Sequence, residues 1–378
     1  MGYRITKIKS HIYSSNYGNN KVFGQPKSLR SGVILEIQTK NNMSGYGETY
    51  LSGYLPELTK ASFDYFCDNL IGRNLDDIHD IVLSLKIPFC TNNGFMKSII
   101  SAIEIGLYDL KSRIEKKPLY KLLNKDFRKS IKAYASGGSV IFGKNAIKDD
   151  FIKASNLDLK YYKLRIGYKN FKNDYERIKF AINLFGKNNV MVDAIMGTLN
   201  KWEKKDFLKK LKILDKLKIK WIEEPLHPSK ITDYNEINKL CSIPVAIGEA
   251  YTSYEEFKTI INFNCCDIIQ PDITQCGIID TIKVCKLAKK NKKKISLHVW
   301  GSSLSFLANL HFAIAFKEVD FIEYPLVNLE IFKNEIKNKY NISNSRISIN
   351  SKIDGLGFKV ANNYFNRFKF IEKSGFKI

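Results

Sequence analysis

The sequence predicts an α/β protein in which parallel strands alternate with helices and close into a barrel, joined to a separate α+β portion. Three observations carry this. The chain has 378 residues, too many for one minimal domain and enough for a large domain with a smaller partner. After about residue 131, short apolar stretches alternate with mostly Lys-rich helical segments. Before that point the pattern is a strand meander followed by segments of helical period.

In chain order, residues 3–13 and 32–39 read as strands, and Gly45-Tyr46-Gly47-Glu48 opens another. The polar connection from Ser14 to Leu29 is long for a structureless loop, which favours a functional one. From Leu58 the period becomes helical. Lys97–Lys111 has apolar residues at i, i+3, i+4 and i+7 throughout, the mark of an amphipathic helix. Eight short apolar stretches then follow, at Lys132–Gly138, Tyr161–Gly167, Val190–Ile195, Lys220–Leu226, Val245–Ala250, Asp267–Ile273, Ile295–Trp300 and Phe321–Tyr324. Helical stretches such as Asp174–Phe185 and Ile279–Lys290 separate them. Eight βα units at this pitch can close a barrel. From Glu335 to Ile378 the pattern is lost, and this segment is expected to return to the N-terminal portion.

Composition excludes several classes. No run approaches the roughly 18 apolar residues of a membrane span, and there is no signal-peptide core. The opening Met-Gly-Tyr-Arg-Ile-Thr formally fits a lipidation pattern but reads better as a strand. Seven scattered cysteines with no CxxC pair suit a reducing compartment, so the cytoplasm is expected. The net charge of +23 comes mainly from lysines spread along the whole chain. It fits solvated surfaces and attraction of small acidic substrates better than nucleic-acid binding.

Lys163, Asp193, Glu223, Glu249, Asp272, His298 and Glu323 fall at the ends of successive predicted strands, 23 to 30 residues apart. In a β/α barrel those ends converge on one mouth. Taken singly, each acid would be read as a helix cap or surface ion pair, and His298 as a buried structural histidine. The repetition at one pitch overturns those readings.

With these residues on the page, the chain resembles the enolase superfamily, and within it the mandelate racemase branch. Tyr-Lys163-Leu-Arg165-Ile-Gly is similar to that branch's Lys-x-Lys strand, and Met-Val-Asp193-Ala, Trp-Ile-Glu223-Glu-Pro and Ile-Gly-Glu249-Ala to its three metal-ligand strands. Gln-Pro-Asp272 and Ser-Leu-His298-Val-Trp-Gly resemble its Asp–His dyad, and Ile-Glu323-Tyr its last-strand acid. Ser101–Lys111 and Asp354-Gly-Leu-Gly357 are similar to landmarks of its capping domain. The resemblance implies a modified (β/α)7β TIM-type barrel at 131–334. It also implies an α+β capping domain built from residues 1–130 and the C-terminal segment 335–378. One Mg2+ per subunit on Asp193, Glu223 and Glu249, a small carboxylic or sugar-acid substrate, and a homo-oligomer are implied too.

The expected chemistry is removal of the proton α to a carboxylate, with Mg2+ stabilising the enediolate. His298 is the base, oriented by Asp272. Lys163 and Arg165 clamp the carboxylate. Glu323, as a buried acid among carboxylates, is expected to be protonated and to donate a hydrogen bond. Arg165 stands where the branch carries a second lysine, and arginine stays protonated. One base rather than two favours dehydration of a hydroxylated acid to a 2-keto-3-deoxy acid over racemisation or epimerisation; a lactone cycloisomerase could also run with His298 alone. A basic binding protein without catalysis is the reading from another class. Ile195, where the family often has a polar residue, puts part of the surrounding hydrogen bonding in doubt, and His227 is open between site and loop. Asn16–Phe23 and Tyr50–Tyr54 correspond to the loops that close over substrate, with Asn19, Lys21 and Tyr54, together with Trp300, as candidate substrate contacts.

Overall fold

The computed structural model describes residues 3–16, 29–167, 170–195, 202–327, 336–360 and 363–376. Strands β1 (Ile5–Asn16), β2 (Leu29–Thr39) and β3 (Ser44–Gly47) form an antiparallel sheet in the order β1-β2-β3. Alternation along β2 splits its side chains between two cores. Val33, Leu35 and Ile37 pack with Phe63 and Phe66 of α1 (Pro56–Leu70), with Ile81 of α2 (Ile78–Ser84), and with α3 (Gly94–Ile114), while Ile34 joins the barrel core. Gly45 and Gly47 let β3 lie on the backbone of α3. A Cβ at Gly47 would sit 1.9 Å from the Ala102 carbonyl oxygen, and one at Gly45 would sit 2.3 Å from that of Gly106.

After the short α4 (Leu119–Leu123) come eight parallel strands: β4 (Ile131–Gly137), β5 (Tyr162–Arg165), β6 (Val190–Asp193), β7 (Ile222–Glu223), β8 (Val245–Ile247), β9 (Ile268–Ile269), β10 (Lys294–Leu297) and β11 (Phe321–Pro325). Each pairs with the next, and β11 returns to β4, so the barrel closes. Seven helical connections follow the first seven strands: α5 (Lys144–Asn156), α6 (Phe171–Phe185), α7 (Lys204–Leu214), α8 (Ile231–Leu240), α9 (Tyr254–Asn262), then α10 (Ile273–Cys276) with α11 (Ile278–Lys290), and α12 (Ser303–Ala315). Every strand predicted from the sequence has its counterpart; β5 to β10 are shorter than predicted, while β1, β2 and β11 run longer. Register carries the functional level: Arg165 pairs beside Asp193, and Asp193 beside Glu223.

The C-terminal segment is not uniform. Strands β12 (Tyr340–Ser343) and β13 (Arg346–Ile349) form a hairpin whose Asn344 and Ser345 both have positive φ, as a two-residue I′ turn requires. Strand β13 pairs antiparallel with the N-terminal end of β4, so this part adds to the barrel sheet. Beyond it, the Leu356 amide donates to Asp109 of α3 at 2.7 Å, and Ser374 meets Ser31 of β2 at 2.6 Å. Asp109 also accepts from the Tyr46 amide and Arg113, which seats the Asp354–Gly357 turn against α3. None of the seven cysteines is disulfide-bonded. Among the described residues no helix is long and apolar enough to cross a membrane.

Candidate active site

The C-terminal ends of the barrel strands bring the predicted charged residues together. Asp193 ends β6, Glu223 ends β7, and Glu249 follows β8; one carboxylate oxygen from each lies within 4.8 Å of the others. Asp193 and Glu223 are fully buried, at 1% and 0% exposure. Burying that many like charges is unfavourable unless positive charge is close. Lys163 supplies part of it: its ammonium lies 2.6 Å from Glu223, 3.0 Å from Glu323 and 3.6 Å from Asp193. Burial works to discharge this lysine, but Glu223, Glu323, Tyr134 and Asp193 outweigh it and raise its pKa well above the usual value.

Glu249 shows what the cluster lacks. Burial raises its pKa most, His298 alone among the larger influences lowers it, and Glu224, Asp193 and Glu223 raise it further, so it stands well above the carboxylate range. Asp193 Oδ2 is buried and accepts no hydrogen bond among the described residues. Its Oδ1 accepts the Ile195 amide at 2.8 Å, a contact that does not depend on the side chain at that position. Three oxygen donors on adjacent strands, with one lone pair uncommitted and one carboxyl short of counter-charge, fit a hard divalent cation such as Mg2+.

His298 lies beside this set. Its Nδ1 is 3.0 Å from Asp272 Oδ2, and its Nε2 is 3.3 Å from Glu249. Burial disfavours the imidazolium, but Glu249, the Asp272 hydrogen bond and Glu323 outweigh it and raise the pKa to about 9. Asp272 is also the N-cap of α10, and its two oxygens divide the work. Oδ1 accepts from the Thr274 amide, the Thr274 hydroxyl and Asn309, each at 2.8 Å, which leaves Oδ2 for His298. Cap and dyad partner are one residue.

Glu323 is drawn away from the protonated form expected of it: burial pushes its pKa up, but Lys163, His298 and Arg165 outweigh that and bring it down to about 2. Its Oε2 accepts the Val299 amide at 3.0 Å, so it acts as an acceptor. Lys163 reaches it over β4, the strand between β5 and β11, a proximity that one-dimensional spacing does not reveal.

Arg165 donates to the Gly137 carbonyl at 3.0 Å and approaches Asp193 and Glu323 at 3.7 and 3.6 Å. The Trp300 ring centroid lies 4.7 Å from its guanidinium and 5.1 Å from that of Arg30. Tyr54 packs on Phe376 and Tyr50; it is the Tyr50 ring that lies 5.2 Å from the His298 ring. His227 pairs with Ser229 at 2.8 Å in the loop after β7. Asn19 and Lys21 lie outside the described residues.

Several site residues were not foreseen. Gln270 donates to Glu223 at 2.7 Å, from within the Gln-Pro-Asp272 motif whose aspartate pairs with His298. Glu48, buried after β3, accepts from Ser302 and Ser305 at 2.5 and 2.9 Å and from Tyr13 at 3.2 Å, joining the cap to the loop that follows His298. The sequence signal for Glu48 is an acid within the Gly45-Tyr46-Gly47-Glu48 stretch that reads as a strand.

A closed parallel barrel whose strand ends gather three cation-seeking carboxylates and a His–Asp pair under a cap defines a β/α-barrel protein of the enolase type. The model described as "Enolase C-terminal domain-like" matches residues 152–364, and "Mandelate racemase / muconate lactonizing enzyme, N-terminal domain" matches 25–124. The chain therefore belongs to the mandelate racemase/muconate lactonizing enzyme family of the enolase superfamily. It is 26% identical over 355 residues to the arabinonate dehydratase of Saccharolobus solfataricus, covering 89% of this chain and 90% of that one. It is 26% identical over 309 residues to the L-talarate/galactarate dehydratase of Salmonella typhimurium, covering 79% and 75%. A crystal structure of that dehydratase, liganded with Mg and L-lyxarohydroxamate, shares the fold with a TM-score of 0.84 at 23% identity, over 98% and 94% of the two chains. The 3,6-anhydro-D-galactonate cycloisomerase of Zobellia galactanivorans also has a TM-score of 0.84, at 21% identity over 97% and 99%.

Proposed function

We propose that this protein is a Mg2+-dependent acid-sugar dehydratase, a hydro-lyase that converts a hydroxylated or sugar acid to a 2-keto-3-deoxy acid. The observation that carries the reading is one imidazole, oriented by Asp272, beside a carboxylate triad, with Arg165 where a second base would stand. Its dehydratase relatives support the same class. Asp193, Glu223 and Glu249 would hold the metal, with Gln270 and Lys163 fixing Glu223. When bound, Mg2+ supplies positive charge against the substrate carboxylate as a second negative charge develops on it. Arg165, packed on Trp300, binds that carboxylate, and Lys163 adds charge from beneath. In its neutral form His298 Nε2 takes the α-proton; the C–H electron pair moves onto the carboxylate and, returning, forms the Cα–Cβ double bond as the Cβ–O bond breaks. The departing hydroxide takes the proton from His298 and leaves as water, and the enol product tautomerises to the keto acid.

Glu48 and the Tyr50 turn bring the cap onto the His298 loop, which supports substrate selection by residues 14–29 and 50–54. The division into a cap at 1–130 and 335–378 over a barrel at 131–334 belongs to the same reading, with the hairpin at 340–349 assigned to the barrel side. A cycloisomerase relative keeps a second reading open, in which the same single base acts and no water departs. Incubation with a panel of sugar acids and Mg2+, assayed for 2-keto-3-deoxy products, tests the proposal. Product from at least one acid is expected; none across a broad panel would count against it.

A further inference from the structure

The opposite pole of the barrel carries a second concave feature. A cavity of about 280 Å3 is lined at or just before the first residues of the barrel strands, by Lys132, Tyr161, Lys220, Trp221, Lys294 and Phe321 among others. The residues proposed for catalysis lie at or just after the strands' other ends, so the two sites are separated by the length of the barrel. An aromatic floor closes the cavity: Trp221 packs edge-on to Tyr134 and Phe321, and Phe321 edge-on to Tyr161.

Three lysines outnumber the single acid, Asp320, that lines this pole. None of Lys132, Lys220 and Lys294 makes an ion pair within 4.0 Å among the described residues. Burial, then Lys132 and Lys294, lower the pKa of Lys220, so the three cations feel one another. Lys220 lies 5.0 Å from the Tyr161 ring centroid and 5.5 Å from that of Phe321, while Lys132 lies 5.9 Å from Phe321. The lining acid Asp320 already accepts the Ile295 amide at 3.0 Å. Trp221, 2% exposed, has an indole N–H with no acceptor among the described residues. A surface that only needed solvation would separate three lysines; here they gather around rings and an unused buried donor.

We propose that this pole is a binding site for a small organic carboxylate with a flat, single-ring body, held by Lys132, Lys220 and Lys294 and packed on Phe321 and Tyr161. The volume sits at the lower edge of ligand cavities, roughly 300–1,000 Å3, which limits the occupant to about one ring. Neither the metal site nor the dehydration reading enters this inference.

Calorimetric titration of the full chain with benzoate, in Mg2+ and at low salt, tests it. Saturable binding is expected, weakened about tenfold or more by Lys220→Ala and Lys294→Ala, retained by Lys220→Arg, and unchanged by His298→Asn. Benzyl alcohol should bind far more weakly. No saturable binding overturns the proposal. So does benzyl alcohol matching benzoate, or binding that His298→Asn removes and the lysine variants leave intact. Thermal unfolding of each variant separates lost binding from lost fold.

Discussion

Replacing Asp272 by Asn isolates the proposed base from its surroundings. Three donors converge on Asp272 Oδ1, the Thr274 amide, the Thr274 hydroxyl and Asn309 Nδ2, each at 2.8 Å. An Asn carbonyl oxygen must therefore take the Oδ1 position, and its NH2 group falls at Oδ2, 3.0 Å from His298 Nδ1. Two donors cannot face each other, so Nδ1 becomes an acceptor and the ring proton moves to Nε2. A protonated Nε2 cannot take the α-proton. The wrong tautomer should lower kcat on the order of 10³–10⁴-fold, or about 4–5.5 kcal/mol of barrier. Stability should change by no more than about 1 kcal/mol, because the α10 cap survives. Asp272→Ala should lose both activity and the cap. Steady-state kinetics on a turned-over acid sugar and urea unfolding of both variants measure this. Asp272→Asn within tenfold of wild-type kcat, or as unstable as Asp272→Ala, would refute the tautomer reasoning.

Glu223→Gln should weaken Mg2+ binding at least about tenfold by calorimetry, since a charged donor of the triad is lost; Mg2+ near 100 times Kd should stabilise the wild type by about 2.7 kcal/mol and the variant much less. Glu104 on α3 accepts the Ile279 amide at 2.7 Å, and burial raises its pKa to about 7. The unfolded chain ionises it near 4.3, so stability falls as pH rises from about 4.5 to 7, on the order of 2–3 kcal/mol. Urea unfolding should show that slope in the wild type relative to Glu104→Gln, and parallel curves would remove the assignment. Gly47→Ala puts a Cβ against the Ala102 carbonyl and should cost roughly 2–4 kcal/mol, visible as a fall in Tm.

The barrel was legible because each βα unit repeats one pattern, and because polar residues at the ends of apolar strands stand out. The α3 landmark and the Asp354–Gly357 turn are both legible in the sequence, but that Asp109 joins them depends on folding. The 340–349 hairpin is hard to read because its strands, although alternating, are only four residues long, too short for a period to stand out. The protonated state expected of Glu323 runs against its surroundings for a different reason. Its neighbours in sequence are apolar, while its neighbours in space are Lys163, Arg165 and His298, and the sign of a pKa shift is set by space. Arg30, Tyr50 and Glu48 come from the cap, whose placement over the mouth has no counterpart in a strand-end series.

The most direct measurement is the reaction followed by proton NMR in D2O, with wild type and His298→Asn on an acid sugar from the panel. A one-base elimination gives 2-keto-3-deoxy product with the wild type and none with His298→Asn. Recovered substrate carrying α-deuterium with no keto product would contradict dehydration and point to isomerisation on the same site.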